Sequence, residues 1–489
     1  MAGTWVSVRR TVSEVGDQLA RESVQPGKTQ PLAHQAKFFK SVPSSVSTSG
    51  NVYQNRPSRD GSVTAPQSLD ASDAVSSKHH PKKTEKTKML LSPTSAPVRP
   101  YPDKPAAGPN DGLDPVALYD RFFKGEAKAT TDNLAYQDRG IDLSPYKDQI
   151  KSFPERLAST LPAAGSGDPE YPAIGQVPAI DNARLSFLCP DITNACVTVG
   201  SWENGSLHAR WFGREATAPA QMWSSSKLIP MTRVAEMVNE NSPTTLLEDC
   251  TVTDPSTHKR ISVPQAFADI VSYRQGDYLS NALSRMLKQF DTPTGIEGWL
   301  HSTTGNKSST FRGGYGEAPW IEHPTLVDTK QHNTVLKASG VDHSGDNLVS
   351  SYDLCRYISL IGWHDQLKPE ARLPGLGQGG VDTLVRGLGT DSARFGDVAL
   401  EALGMQDQIK DPVFISKLGF GLSDTRHQFE QVYTAFIEFK DAKTDKPTEI
   451  AISLRGAKKP TSKLAAQRLD AEMATQVTLI LGKVLKGEL

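Results

Sequence analysis

Three strand-like runs near the C-terminus, residues 413–422, 429–439 and 449–454, are separated only by polar turns, and this narrows the possible folds more than any other feature. Runs so spaced form a meander of antiparallel strands. Residues 463–486 follow, with Leu464, Leu469, Met473, Val477, Ile480, Leu481 and Val484 on one stripe of a helix suited to cover one face of that sheet. Upstream, the runs at 195–200 (ACVTVG) and 206–212 (SLHARWF) flank Glu203-Asn204-Gly205, a hairpin-turn sequence. Between the strand groups, Leu228, Met231, Val234, Ala235 and Val238 recur with helical spacing, as do Leu279, Leu283, Met286, Leu287 and Phe290. The sequence therefore predicts an α+β fold: an antiparallel sheet fed from both chain ends, flanked by helices, plus a helical subdomain.

At 489 residues the chain exceeds one typical domain, yet it is only 37% hydrophobic and carries 38 Gly and 33 Pro, so part of it should stay outside any core. The expected organisation is a short segment at 1–27 that could be helical and a disordered low-complexity tail at 28–113. A helical lead-in at 114–180, with patterns around 114–123 and 144–161, then precedes the main domain at 181–489. Within the tail, Lys78, Lys82, Lys83, Lys86 and Lys88 surround His79 and His80; they could touch an acidic polymer or simply keep the segment solvated. A net charge of −1 removes any global electrostatic argument for nucleic acid, and no such partner is expected. No run of about eighteen apolar residues supports a membrane span, and no export signal is visible. The default expectation is a cytoplasmic protein, with secretion or a periplasmic location left open. Cys189, Cys196, Cys250 and Cys355 lack metal-site spacing, and Cys189 with Cys196 reads either as two reduced thiols or as a bridge.

Chemistry concentrates in three places. Ser224-Ser225-Ser226-Lys227 opens an amphipathic helix, and residues three apart share a helix face, which brings the Lys227 amine toward the Ser224 hydroxyl. Asp277-Tyr278-Leu279-Ser280-Asn281 opens a second core helix, where Ser280 could move a proton and Asn281 could bind an amide, or both could serve as caps. Ser416-Lys417-Leu418-Gly419-Phe420-Gly421 lies inside a strand: Gly419 would let a substrate approach the backbone, and Lys417 would supply positive charge. No metal-ligand spacing, Gly-x-Ser-x-Gly elbow or phosphate-cradling loop occurs; the glycines of residues 374–380 read as a flexible connector. No cofactor is expected.

The order of these parts resembles the class A serine β-lactamases and related penicillin-binding proteins, whose signature is Ser-x-x-Lys, then Ser-Asp-Asn, then Lys-Thr-Gly. The resemblance spans about 181–489. It implies that Ser224 is an acylated nucleophile and Lys227 its general base. Asn281 would then be the ligand of a substrate amide, and Lys417 with Gly419 the third element. It also implies an oxyanion hole from the backbone N–H groups of Ser224 and Phe420, worth about 3 kcal/mol of barrier per donor. For deacylation it requires a water-activating glutamate, for which Glu317 is the first candidate and Glu322 the next.

Two positions depart from the pattern: Leu279 stands where a proton-relaying serine is expected, and Leu418 replaces a hydroxyl residue. The leading expectation is a serine hydrolase acting through an acyl-enzyme on a small-molecule or peptide-like amide, such as a β-lactam. A D,D-peptidase-like or slow penicillin-binding protein is one alternative, and a non-catalytic binding or scaffold relative is another. Oligomeric state is not legible.

Overall fold

The computed structural model describes residues 113–129 and 133–489, all within one compact unit. The expected N-terminal segment and nearly all of the low-complexity tail lie outside the described residues. Ten α-helices are described: α1 (Pro115–Glu126), α2 (Phe153–Ser159), α3 (Leu228–Asn241), α4 (Val263–Ser272), α5 (Asp277–Lys288), α6 (Pro293–Thr304), α7 (Ser351–Gly362), α8 (Gln378–Leu388), α9 (Phe395–Ala402) and α10 (Ala465–Leu485). The main sheet comprises β1 (Ile180–Asp181), β2 (Ile192–Glu203), β3 (Ser206–Arg214), β4 (Ile409–Ser423), β5 (Gln428–Asp441) and β6 (Pro447–Lys458).

Strands run in the order β1-β3-β2-β6-β5-β4, so the two chain ends meet in the middle of the sheet. β2 pairs antiparallel with β6, with Val197 opposite Ile452 and Val199 opposite Ile450. The β2–β3 hairpin turns at Asn204 and Gly205, both with positive φ (52° and 80°), the signature of a two-residue primed turn. β4 is an edge strand, held on one side by β5 through a register from Val413↔Glu438 to Ser423↔Gln428.

Side chains on these strands alternate between two cores. Leu418, Tyr433, Ile452 and Val197 pack with Met473 and Val477 of α10 on one face. Ile415, Val432, Phe436 and Ala451 pack with Tyr352 and Ile358 of α7 on the other, continuous with the helical subdomain that contributes Leu228, Phe267 and Leu283. The period-2 pattern of the strands decides which residues can reach the helical subdomain: Lys417 and Gly419 share the parity of Val413 and Ile415, and Leu418 faces away.

Two local expectations change. The pattern at 144–161 gives only the seven-residue α2 after a 3-10 stretch Lys147–Ser152, with Pro154 at its start, where a missing N–H costs nothing. The glycine run at 374–380 is not a flexible connector throughout, because α8 begins at Gln378. A Cβ on Gly375 would run into Glu240 Cγ and one on Gly377 would lie 2.7 Å from Asn239 Oδ1, both of α3, so the bareness of these glycines lets the run and the start of α8 approach α3. All four cysteines are free thiols, and Cys196 neighbours Cys355, not Cys189.

Candidate active site

Ser224 lies on a five-residue 3-10 turn, Trp223–Lys227, that runs directly into α3. Trp223 enters it at φ +49°, a left-handed conformation that costs a bulky residue about 1–2 kcal/mol. Tertiary contacts hold it there: the indole N–H donates to Glu430 Oε2 at 2.8 Å, and the ring lies so close over Gly421 that no side chain would fit beneath it. The next two serines anchor the turn. Ser225 Oγ donates to the Lys417 carbonyl at 2.5 Å, and Ser226 Oγ donates to the Trp223 carbonyl at 2.7 Å. Ser224 is half-buried, and its side chain faces the Tyr273 hydroxyl.

Lys227 is fully buried, with Nζ donating to Ser280 Oγ at 2.8 Å; Ser280 in turn donates to the Ile270 carbonyl at 2.8 Å. Burial drives the Lys227 amine well below the ordinary lysine range, and the positive charge of Lys417 adds to this against Asp277 and Glu317. Burial and Lys417 thus both favour the neutral amine at Lys227. Ser280 thus ties that amine to the end of α4 through the Ile270 carbonyl.

Lys417 is also fully buried. Its Nζ donates to the Tyr273 hydroxyl at 2.6 Å and to the Leu418 carbonyl at 2.9 Å, and sits 4.0 Å from the centre of the Tyr273 ring. Burial lowers Lys417 to about 8, opposed by Asp391 and Asp277. Gly419 is the contact point between β4 and the serine turn: a Cβ there would meet the Met222 carbonyl at 2.7 Å and the Ser225 and Ser224 nitrogens at 2.9 and 3.0 Å. Phe420 is half-buried and stacks on Phe429 at 6.2 Å.

Tyr273, which sequence reasoning missed, occupies the junction. It ends α4 in the left-handed conformation, φ +54°, and its hydroxyl donates to the Leu418 carbonyl at 3.0 Å. The same hydroxyl accepts from Lys417 and lies within hydrogen-bonding reach of the Ser224 side chain. Burial, then Asp277, raises it well above the ordinary phenol range, so it stays a neutral hydroxyl. Attention to a serine in the second element hid it. The usable signal was a tyrosine in the tight turn Tyr273-Arg274-Gln275-Gly276 between two core helices.

Other expected residues sit further out. Asn281 is buried on α5. Glu317 is half-buried on the long loop before β-strand Thr325–Asp328, where its backbone carbonyl accepts from Arg285 at 3.0 Å, and its charge reaches Lys227. That loop also delivers Tyr315, missed as well, whose ring centre lies 5.6 Å from Lys227 Nζ and whose hydroxyl lies 3.5 Å from Ser226 Oγ. Leu279 is partly buried against the core, and the Leu418 side chain is buried on the face of the sheet away from Ser224, so only its carbonyl takes part.

Among the described residues no group of three or more His, Cys, Asp or Glu is arranged to hold a metal ion, and no helix is long and apolar enough to cross a membrane. No protein-family model matches the chain, and no curated protein matches it either. Solved structures do. A β-lactamase from Chitinophaga pinensis DSM 2588 is similar over 58% of this chain and 92% of its own, at 15% identity and a TM-score of 0.36. A class A β-lactamase from Mycobacterium abscessus is similar over 59% and 92%, at 16% identity and a TM-score of 0.34. For a β-lactamase from Streptosporangium roseum the figures are 60% and 94%, 13% and 0.35.

Proposed function

We propose that the chain is a serine acyl-transfer enzyme of the β-lactamase or D,D-peptidase kind, acting on a small-molecule or peptide-like amide or ester through an acyl-enzyme on Ser224. The observation that carries this is the convergence of three distant segments on one hydroxyl. The Ser224 side chain meets the hydroxyl of Tyr273, which also holds the Lys417 amine, while Lys227 lies buried one turn along the same helix.

In this reading Ser224 Oγ attacks the substrate carbonyl and gives its proton to the neutral Lys227 amine, which turns from Ser280. The tetrahedral oxyanion forms beside the Ser224 and Phe420 amides. As the C–N bond breaks, the Tyr273 hydroxyl passes a proton to the leaving nitrogen while the Lys417 ammonium stabilises its oxygen, and the Lys227 ammonium then returns the proton it took to Tyr273. In deacylation the Glu317 carboxylate takes a proton from water, the hydroxide so formed displaces Ser224 Oγ from the ester, and Glu317 gives that proton back to Ser224.

The test is intact-mass analysis after exposure to a panel of β-lactams and acylating probes, with Ser224→Ala as control. A single adduct lost in the variant is expected; no adduct with any probe would sink the reading. A stable acyl-enzyme is the second reading. It is favoured by Glu317 acting on Lys227 through its charge, with the Lys227 amine donating to Ser280 instead, and it is separated from the first by adducts that persist for hours.

A further inference from the structure

The loop between α8 and α9 carries a buried carboxylate that the proposed chemistry does not use. Asp391 is 0% exposed and accepts from Ser416 Oγ at 2.8 Å at the open edge of β4, one residue before Lys417. The Leu418 amide also faces this carboxylate while the Leu418 carbonyl accepts from Lys417 Nζ at 2.9 Å, so both charged groups meet the open edge of β4 at one residue, and Oδ1 has no close hydrogen-bond partner among the described residues. A buried carboxylate with one oxygen unpaired is costly unless a cation compensates it.

The loop is held from two sides. Arg394, itself 1% exposed, forms a two-pronged ion pair with Asp397 at 2.8 and 2.9 Å and donates to the Gly389 carbonyl at 3.3 Å and to Ser144 Oγ at 3.2 Å. The lead-in segment completes the brace: Gly140 N donates to the Ser392 carbonyl at 2.8 Å, and Arg394 N to the Tyr136 carbonyl at 3.2 Å.

We propose that Asp391 is a positioning residue, the buried counter-ion that keeps the Lys417 ammonium charged beside Tyr273 and Ser224, and that residues 136–144 hold it in place. The charged and titratable groups acting on Lys417 are Asp391 from this loop, Asp277 from α5, Tyr273 from the end of α4 and Lys227 from the serine turn. Asp277 is exposed and screened by water, whereas Asp391 is dry, so Asp391 carries the larger share. Around Asp391 itself stand Lys417, Arg394, the Ser416 hydroxyl and the Leu418 amide, all favouring its charged form against burial. The lead-in, on this inference, tunes the site without reaching it. The meaning of the inference rests on the acyl-transfer reading; its test does not.

In the full chain labelled with ¹³C and ¹⁵N at lysine, the Lys417 resonance is assigned by its loss in Lys417→Arg and titrated, with a midpoint near about 8 expected. Asp391→Asn should lower that midpoint by about one unit, which is about a tenfold loss in the ratio of ammonium to amine. Ser416→Ala keeps the carboxylate and should leave the midpoint near the native value, whereas a merely structural role for the loop would move both variants alike. Linkage supplies a second measurement that does not depend on Asp391→Asn folding: in Lys417→Met the Asp391 carboxyl must titrate at higher pH than in the native chain. A Lys417 midpoint unmoved by Asp391→Asn, or an Asp391 midpoint unmoved by Lys417→Met, overturns the inference. If the native chain is acylated, Asp391→Asn should also move the alkaline limb of the acylation profile down by the same amount. If it forms no adduct, the acyl-transfer reading falls while the two titrations still decide the counter-ion.

Discussion

Adding one methyl group at Gly419 should disable Ser224 without touching it chemically. The new Cβ would stand 2.7 Å from the Met222 carbonyl oxygen and 2.9 and 3.0 Å from the backbone nitrogens of Ser225 and Ser224. Ordinary contact begins near 3.4 Å, so the serine turn must retreat from β4 by about 0.7 Å at its tightest point. All three atoms it meets belong to the backbone, so no side chain can swing away to relieve the clash. The turn is also pinned, by Ser225 Oγ on the Lys417 carbonyl and by Trp223 on Glu430. Overpacking of this kind costs about 1–3 kcal/mol of stability, and displacement of a nucleophile by about 1 Å lowers its reactivity by about 100-fold. The assay pairs a denaturant titration with the rate of adduct formation on Ser224. Gly205→Ala is the control. It adds the same methyl group, at a positive φ (80°) that Gly419 does not have, but meets nothing within 4 Å, so it should cost about 1 kcal/mol and leave acylation unchanged. A Gly419→Ala variant that acylates at the native rate would refute the claim that β4 and the serine turn are in contact where the structure places them.

Tyr273→Phe retains the ring against Lys417 and removes only the bridging hydroxyl; adduct formation should fall about 10²–10⁴-fold at a cost of about 1–3 kcal/mol in stability, and near-native acylation would remove Tyr273 from the relay. Glu317→Gln should leave formation of the acyl-enzyme intact and prolong its lifetime at least tenfold, read by mass spectrometry after rapid desalting; unaltered turnover excludes Glu317 as the water-activating base. Glu438 and Glu449 face each other across β5 and β6, both buried, and burial raises Glu438 to about 8. A carboxyl whose folded pKa is raised binds more protons folded than unfolded from about pH 4 to 8, so it makes stability fall as pH rises through that window. Glu438→Gln should flatten the decline measured by urea unfolding at stepped pH, and an unchanged slope would place the loss elsewhere.

Much of the scaffold was legible because it depends on local regularities. The Asn204-Gly205 turn, the three C-terminal strands and the closing helix each obey a short-range rule, and observed boundaries fall within a few residues of those expected. The glycine run before α8 was misread because helix-breaking residues were judged by intrinsic preference, while the close approach of α3 decided their state. The departures at Leu279 and Leu418 looked damaging in one dimension. In three, Leu418 contributes a carbonyl and hides its side chain, and a hydroxyl from the end of α4, that of Tyr273, bonds both that carbonyl and Lys417.

The amino-acid order alone determined the periodicities, hence the sheet, its two cores and the parity that puts Lys417 and Gly419 on one face and Leu418 on the other. It also placed Ser224 and Lys227 one helical turn apart. Only the tertiary structure decided what surrounds them: that Tyr273 joins Lys417 to Ser224, that Ser280 holds the Lys227 amine, and that Asp391 reaches the edge of β4. Backbone geometry repeats every few residues and can be read along the chain. Charge states and hydrogen-bond partners depend on burial and on groups far apart in the chain, 144 residues for Lys417 and Tyr273 and 207 for Trp223 and Glu430, which no local pattern records.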